Sequence, residues 1–351
     1  MSRAPPTLVG DGIENPHNAR ALADAAALFG AGCAFRDRAR LAESWAAAFP
    51  GEPLSLIADG ALAGFAPLVA LDNVPGAVDV YGFRPTGPRP AVVVGNERRG
   101  VARDVLALAA HRVQIPLASR RLNTLNVAAA AAVALYYLRR GGGAGPATSA
   151  DPARRRPELL LVGASDHVEL GSAIRSAGAF GWGRVLIEDR AGVWFGAERA
   201  LRTEGLAAAR SHRNPIRLVP AASERRHAFE EACVVTTCGD GVPLHRANLA
   251  RGARQLVVLP DEGALEVARE DWSRLALTVR FVGMELPGGR AARRYRLTAT
   301  IALAEVARQV GRRARVAGLR PRPSGPVYDA ALELAAREAG ETVFLDELEE
   351  Y

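Results

Sequence analysis

Two tandem α/β domains, each built on a mainly parallel sheet, are what this sequence predicts, and three observations carry that expectation. Short apolar runs bounded by Gly, Pro and Asp alternate with Ala-rich helical stretches, the pattern of helices covering both faces of a parallel sheet. A stretch poor in apolar residues, Gly141 to Pro157, interrupts the pattern, which then restarts. The restart can be checked by offset. Phe29-Gly30 recurs as Phe180-Gly181 (181 − 30 = 151), and Leu125 recurs as Leu297 (297 − 125 = 172), so the second copy is longer inside. A repeat on this scale means duplicated domains rather than a solenoid, and two such copies are expected to pack as a pseudo-symmetric pair.

In chain order, Thr7 to Ile13 reads as a strand and Ala19 to Phe29 as a helix stopped at Gly30. Leu54 to Ile57, Pro67 to Leu71 and Ala91 to Val94 read as further strands, with helical stretches at Ala39 to Phe49 and Ala102 to Ala110. Leu122 to Arg140 is the most telling stretch. Thr124 and Asn126 are cap residues, the Ala/Val/Leu run behind them is apolar on nearly all sides, and Arg139 and Arg140 suit the negative end of the helix dipole. Such a helix should be buried, and its polar start is a candidate ligand site.

Beyond the linker, Leu159 to Gly163, Arg184 to Ile187, Val234 to Thr237, Gln255 to Leu259 and Leu277 to Val282 continue the strands. Gly171 to Phe180 and Leu297 to Val310 supply helices, and a Pro-rich then acidic tail runs from Arg315 to Tyr351. The expected division is residues 1–140, a linker at 141–157, a second domain at 158–314 and a tail at 315–351.

Composition narrows the function classes. The 351 residues are enough for two domains, and the absence of an 18-residue apolar run or a charged-then-apolar leader argues against membrane and secreted proteins. Three cysteines, Cys33, Cys233 and Cys238, lack C-x-x-C spacing, and with six scattered histidines they point away from a metal site and toward a reducing cytoplasm. Cys233 and Cys238 read as buried thiols. The net charge of +7 favours an anionic partner such as nucleic acid. All 45 basic residues are arginine, the mark of a GC-rich coding bias, so the hint is modest. The clusters Arg154 to Arg156, Arg293-Arg294-Arg296 and Arg312-Arg313-Arg315 read as solvated faces unless RNA binding proves salt-dependent through them.

Three segments of the first copy stand in a defined order: ENPHNARALADAAALFG at Glu14 to Gly30, VVVGNERRGVARDVL at Val92 to Leu106, and VQIPL at Val113 leading into LNTLNVAAA. The middle one is not G-x-G-x-x-G, so no dinucleotide fingerprint is present. Together they resemble the motifs of SpoU-type (TrmH-like) RNA 2′-O-ribose methyltransferases of the SPOUT superfamily. The resemblance covers residues 7–140 well and 158–312 in weaker form. It implies two SPOUT-type domains with trefoil knots, which are rare among folds, packed as an intramolecular pseudo-dimer in a monomeric chain. It also implies S-adenosylmethionine as cofactor, tRNA or rRNA as partner, and no metal. Cofactor contacts carry over onto Gly95, Asn96, Glu97 and Gly100, onto Ile115, Pro116 and Leu117, and onto Leu125 and Asn126.

The departures are complementary. The family's first motif is N-x-G-x-x-x-R before F-G, its arginine being the principal catalytic residue. In the first copy Asn18 matches, but Arg20 stands where glycine is usual and Asp24 where the arginine belongs. The second copy has Gly171 and Arg175 in place but Glu169 for the asparagine, Pro260 where Gly95 stands, Thr298 for Asn126, and Gly283 where Pro116 would be. One intact site therefore requires the first copy's pocket and the second copy's arginine.

In that site Arg175 grips a phosphate and stabilises the developing oxyanion, because a guanidinium is a poor general base. Glu97 and Asn126 orient loop, cofactor and ribose, with Asn18 as a fourth catalytic candidate. Each has an ordinary alternative: a surface arginine, a loop charge, a helix cap. An RNA- or cofactor-binding pseudoenzyme is the alternative for the whole chain, and Asp24 is its best support. With the first strand at Thr7 no room remains ahead for an extra RNA-binding domain, so recognition is expected on the pseudo-dimer surface and the tail from Arg315.

Overall fold

The computed structural model describes residues 6–117, 125–140, 156–163, 166–189, 192, 195, 216–221, 228–239, 241–262, 272 and 275–311. The first half runs β1 (Thr7–Asp11), α1 (Pro16–Leu28), β2 (Cys33–Arg36), α2 (Leu41–Ala48), β3 (Leu68–Leu71), β4 (Val78–Asp79), β5 (Ala91–Val94), α3 (Arg103–Leu108), β6 (His111–Gln114) and α4 (Val127–Arg139). Its six strands lie in the order β2-β1-β5-β3-β6-β4, every pair parallel. The Val run of β5 is buried on both faces, as a central parallel strand between helical layers requires.

The second half runs β7 (Glu158–Val162), α5 (His167–Ala179), β8 (Arg184–Glu188), β9 (Arg217–Pro220), β10 (Phe229–Thr236), β11 (Val242–Pro243), β12 (Gln255–Pro260), β13 (Ala276–Gly283) and α6 (Tyr295–Val310). Read from its far edge, this sheet is β9-β8-β7-β12-β10-β13-β11, again all parallel. Strand for strand it repeats the order of the first, with β9 added at the edge. The registers repeat as well: Leu8 pairs with Val92 as Leu159 pairs with Val257, and Leu71 pairs with Val113 as Val235 pairs with Val282.

These registers correct two motif assignments. Gly283 occupies the place of Gln114, so the counterpart of Pro116 is Glu285. Thr298 does not cap its helix as Asn126 does: α6 starts at Arg294, a turn earlier, and the Thr298 hydroxyl turns back onto the Tyr295 carbonyl (3.2 Å). A flanking apolar pattern cannot show that a helix has gained a turn at its start. Leu54–Ile57 is not a strand either. Leu56 makes a lone bridge to Phe35 and is 47% exposed, because the chain turns at Asp59 before a ladder can grow. Cys233 is buried as expected, but Cys238 is exposed. The cap Thr124, the linker at 141–155, and the tail from 312 onward lie outside the described residues.

The halves meet through helices. α1 packs on α4, α5 on α6, and α4 on α6, which explains why α4 is apolar all round: it has a helix partner on two sides, and its side chains share a core with Val92, Val94 and Val113. One apolar core runs through both halves. At its centre the fully buried Glu305 accepts hydrogen bonds from the Tyr137 hydroxyl (2.6 Å), Arg308 (2.5 Å) and Gln309 (2.9 Å). Burial, with that carboxylate beside it, holds the Tyr137 phenol well above its usual pKa. Asp24 of α1 is paired with Arg294 at the head of α6 (2.6 Å). Among the described residues, no helix is long and apolar enough to cross a membrane.

Candidate active site

The site lies at the carboxyl ends of β3, β5 and β6, where open parallel sheets leave a crevice. After β5 the chain makes a tight turn from Gly95 to Gly100, closed by reciprocal backbone hydrogen bonds between Asn96 and Gly100 (3.0 and 2.9 Å). The Asn96 side chain completes the turn, accepting from the Arg98 and Arg99 N–H groups (2.9 and 3.0 Å) and donating to the Gly12 carbonyl (2.8 Å). Both glycines are required sterically. A Cβ on Gly95 would stand 2.1 Å from the Gly100 carbonyl, and Gly100 has φ +73° with the Asp72 carboxylate against it. Gly95→Ala should therefore destabilise the fold by about 1–3 kcal/mol and open this turn. A denaturation midpoint unchanged from the parent would refute it.

Asn126 caps α4, accepting from the Ala128 and Ala129 N–H groups (3.0 and 3.3 Å), which leaves its amide nitrogen to donate to Asn18 Oδ1 (3.1 Å). Asn18 in turn donates to Glu97 Oε1 (3.0 Å), and Glu97 Oε2 accepts from the Glu14 N–H (3.3 Å). Three candidates separated by about a hundred residues thus form one polar chain, Asn126 to Asn18 to Glu97. Asn18 is held there by α1, which begins at an Asn15 cap with Pro16 in its first turn.

One open cleft gathers Asn18, Gly95, Asn96, Glu97, Gly100, Ile115, Leu117, Leu125 and Asn126, and its wall is completed by Arg175 of α5 in the second half. Pro116, between two lining residues, is not part of that wall. Burial pushes the pKa of the Arg175 guanidinium down to about 10. Sequence reasoning missed Asp72 and Asn73, which also line the cleft. Asp72 accepts from the Val101 and Asn73 N–H groups (2.8 and 2.7 Å) and so fixes the far end of the Gly95–Gly100 turn. The available signal was their place just beyond the end of a parallel strand.

In the second half the equivalent positions are tied to one another. Pro260 stands for Gly95, and Glu262, at the place of Glu97, is held by the Thr237 hydroxyl (2.6 Å) and Arg293 (3.1 Å). Glu169, at the place of Asn18, is bonded to Arg296 through its N–H (2.8 Å) and Nε (2.7 Å). The buried Tyr295 ring reaches the end of β12, its hydroxyl donating to the Leu259 carbonyl (2.8 Å). The cluster Arg293-Arg294-Arg296 is thus spent on Glu262, Asp24 and Glu169, within the molecule.

Residues 55–136 match the model of the SpoU rRNA Methylase family. The matched residues take in the turn, the β6 end and the head of α4. No curated protein matches the chain. Among solved structures, the SpoU methyltransferase AviRb from Streptomyces viridochromogenes is 24% identical over 39% of this chain and 59% of its own, with a TM-score of 0.32. An AdoMet-bound rRNA methyltransferase from Sinorhizobium meliloti is 22% identical over 40% and 58%, with a TM-score of 0.34. A TrmH/SpoU tRNA modifying enzyme from A. aeolicus is 21% identical over 40% and 77%, with a TM-score of 0.32. This chain thus spans less than two thirds of the length of the first two.

Proposed function

We propose that this chain is an S-adenosylmethionine-dependent RNA methyltransferase that methylates a ribose 2′-oxygen of tRNA or rRNA at one composite site between its halves. On this reading the halves are duplicated SPOUT-type domains with trefoil knots, packed as an intramolecular pseudo-dimer in a monomer. The loop from 118 to 124, which leads into α4, lies outside the described residues. The observation that carries the proposal is that Arg175 of the second half lines the same cleft as the motif residues of the first.

The cleft suits the cofactor's chemistry. Leu71, Val94, Ile115, Leu117 and Ala130 offer apolar walls for an adenine, while Asn18, Asn73 and the head of α4 offer polar edges for ribose and carboxylate. When bound, S-adenosylmethionine supplies a methyl group activated by a sulfonium. The protein's share is alignment and charge. Arg175 holds the phosphate beside the reacting ribose and stabilises the negative charge that grows on the 2′-oxygen. The proton leaving the 2′-hydroxyl passes to that phosphate. The Asn126–Asn18–Glu97 chain fixes the amide of Asn126 toward the cleft and keeps the turn seated.

Calorimetry with S-adenosylmethionine is the first test, and one site per chain is expected, because the second half carries Pro260 in place of the turn glycine and ties Glu262 and Glu169 to arginines. Two sites would refute the composite reading, and none would favour an RNA-binding scaffold. Mapping 2′-O-methyl groups in tRNA and rRNA with and without the gene then identifies the substrate.

A further inference from the structure

A second cavity lies between the halves, on the side where the other composite site would be. Its second-half wall includes Met284, the register counterpart of Ile115 in the first cleft, and Arg293. Its first-half wall is the end of α4 with Phe29, and it brings Arg139 and Arg140 to face Arg293. Three guanidiniums thus meet two carboxylates, the exposed Glu285 and the Glu262 that holds Arg293.

The arginines are held in place rather than waving from the surface. Arg139 donates to the Phe29 carbonyl (3.1 Å), and Arg140 donates to the Tyr136 hydroxyl (2.9 Å) with its guanidinium over that ring, 5.3 Å from the centroid. Arg293 is bonded to Glu262, yet its Nε is buried without a hydrogen-bond partner in the protein. Arg139 and Arg140, each anchored by a neutral group, suit an anion with several acceptor oxygens. A second S-adenosylmethionine is not that anion, because its sulfonium and ammonium outweigh its one carboxylate.

We infer that this cavity is a docking site for the phosphodiester backbone of single-stranded RNA, formed from the remains of the second composite site. The inference rests on the RNA methyltransferase reading: a nucleotide segment away from the reacting ribose would seat here. Planar arginines packed on an aromatic ring suit phosphates and neighbouring bases together.

The test uses the full chain and a labelled mixed-sequence single-stranded oligoribonucleotide, followed by fluorescence anisotropy across a salt series. Replacing two phosphate contacts, Arg139→Gln with Arg140→Gln, should weaken binding about tenfold and flatten the log–log salt slope by about 1.4, at roughly 0.7 per phosphate on a single strand. S-adenosylmethionine binding should stay at the parent value, which shows that the fold and the first cleft are intact. Cys238 gives an independent reading, since it is exposed on the cavity wall. The oligonucleotide should slow its alkylation several-fold, and Cys238→Glu should weaken RNA binding without removing any arginine. Unchanged affinity and slope in both variants, or alkylation indifferent to RNA, would overturn the inference. A parent chain that binds the oligonucleotide through this cavity but takes up no S-adenosylmethionine would sink the methyltransferase reading alone.

Discussion

Arg175→Ala is expected to lower the rate of methyl transfer to RNA by about 10²–10³, or about 2.7–4 kcal/mol, the loss seen when one preorganised donor to a developing oxyanion is removed. The loss should fall on kcat, with S-adenosylmethionine affinity unchanged, because Arg175 reaches the cleft from α5 while the first half provides every other wall residue. Arg175→Lys should recover only part of the rate, since a point charge replaces a planar fork. The matching position in α1 is the control. Asp24 is paired with Arg294 and lines neither cavity, so Asp24→Asn should leave the rate per folded molecule at the parent level. Single-turnover kinetics with saturating cofactor separate these outcomes. A full rate in Arg175→Ala, or a collapse in Asp24→Asn with folding intact, would show that the first half works without its neighbour.

Much of this site was legible before any coordinates. The turn is readable because Gly95 and Gly100 admit no other residue at their contacts, and the head of α4 because an asparagine followed by an apolar run is a cap. Arg175 was legible through its spacing to Phe180-Gly181. Other features were not. That Asn18 joins Asn126 to Glu97 depends on α1 crossing the ends of β5 and α4, a tertiary arrangement that no local pattern encodes. β2 was missed because four residues ending in a charge carry little periodicity, yet Arg36 is buried against Asp11, Asp59 and Asp104. The extra turn of α6 was hidden for a similar reason. Arg294 and Tyr295 look like loop residues until Asp24 and the Leu259 carbonyl are found waiting for them.

The largest stability effect should come from the seam between the halves. Glu305 is fully buried there, and Arg308 bonds both its oxygens (2.9 and 2.5 Å). Arg308→Ala would leave that carboxylate in the core without its counter-charge, at a cost of about 3–5 kcal/mol. The denaturant midpoint should fall with little change in slope, since the surface exposed on unfolding is the same. Replacing Tyr137, Glu305 and Arg308 together by Phe, Leu and Leu should restore most of the loss, because an apolar seam of similar volume asks for no charge compensation. A midpoint in Arg308→Ala equal to the parent's would show the network to be inconsequential. The same variant also probes the chemistry. α4 carries Asn126 at its head, and α6 packs on α5, which carries Arg175. Loosening α4 against α6 therefore shifts the arginine relative to the cleft it completes, and a misplacement of about 1 Å can cost roughly 10² in rate. Measured where Arg308→Ala is still fully folded, the rate should drop while cofactor affinity holds. A site built from one half alone would keep its rate, because nothing within that half has moved.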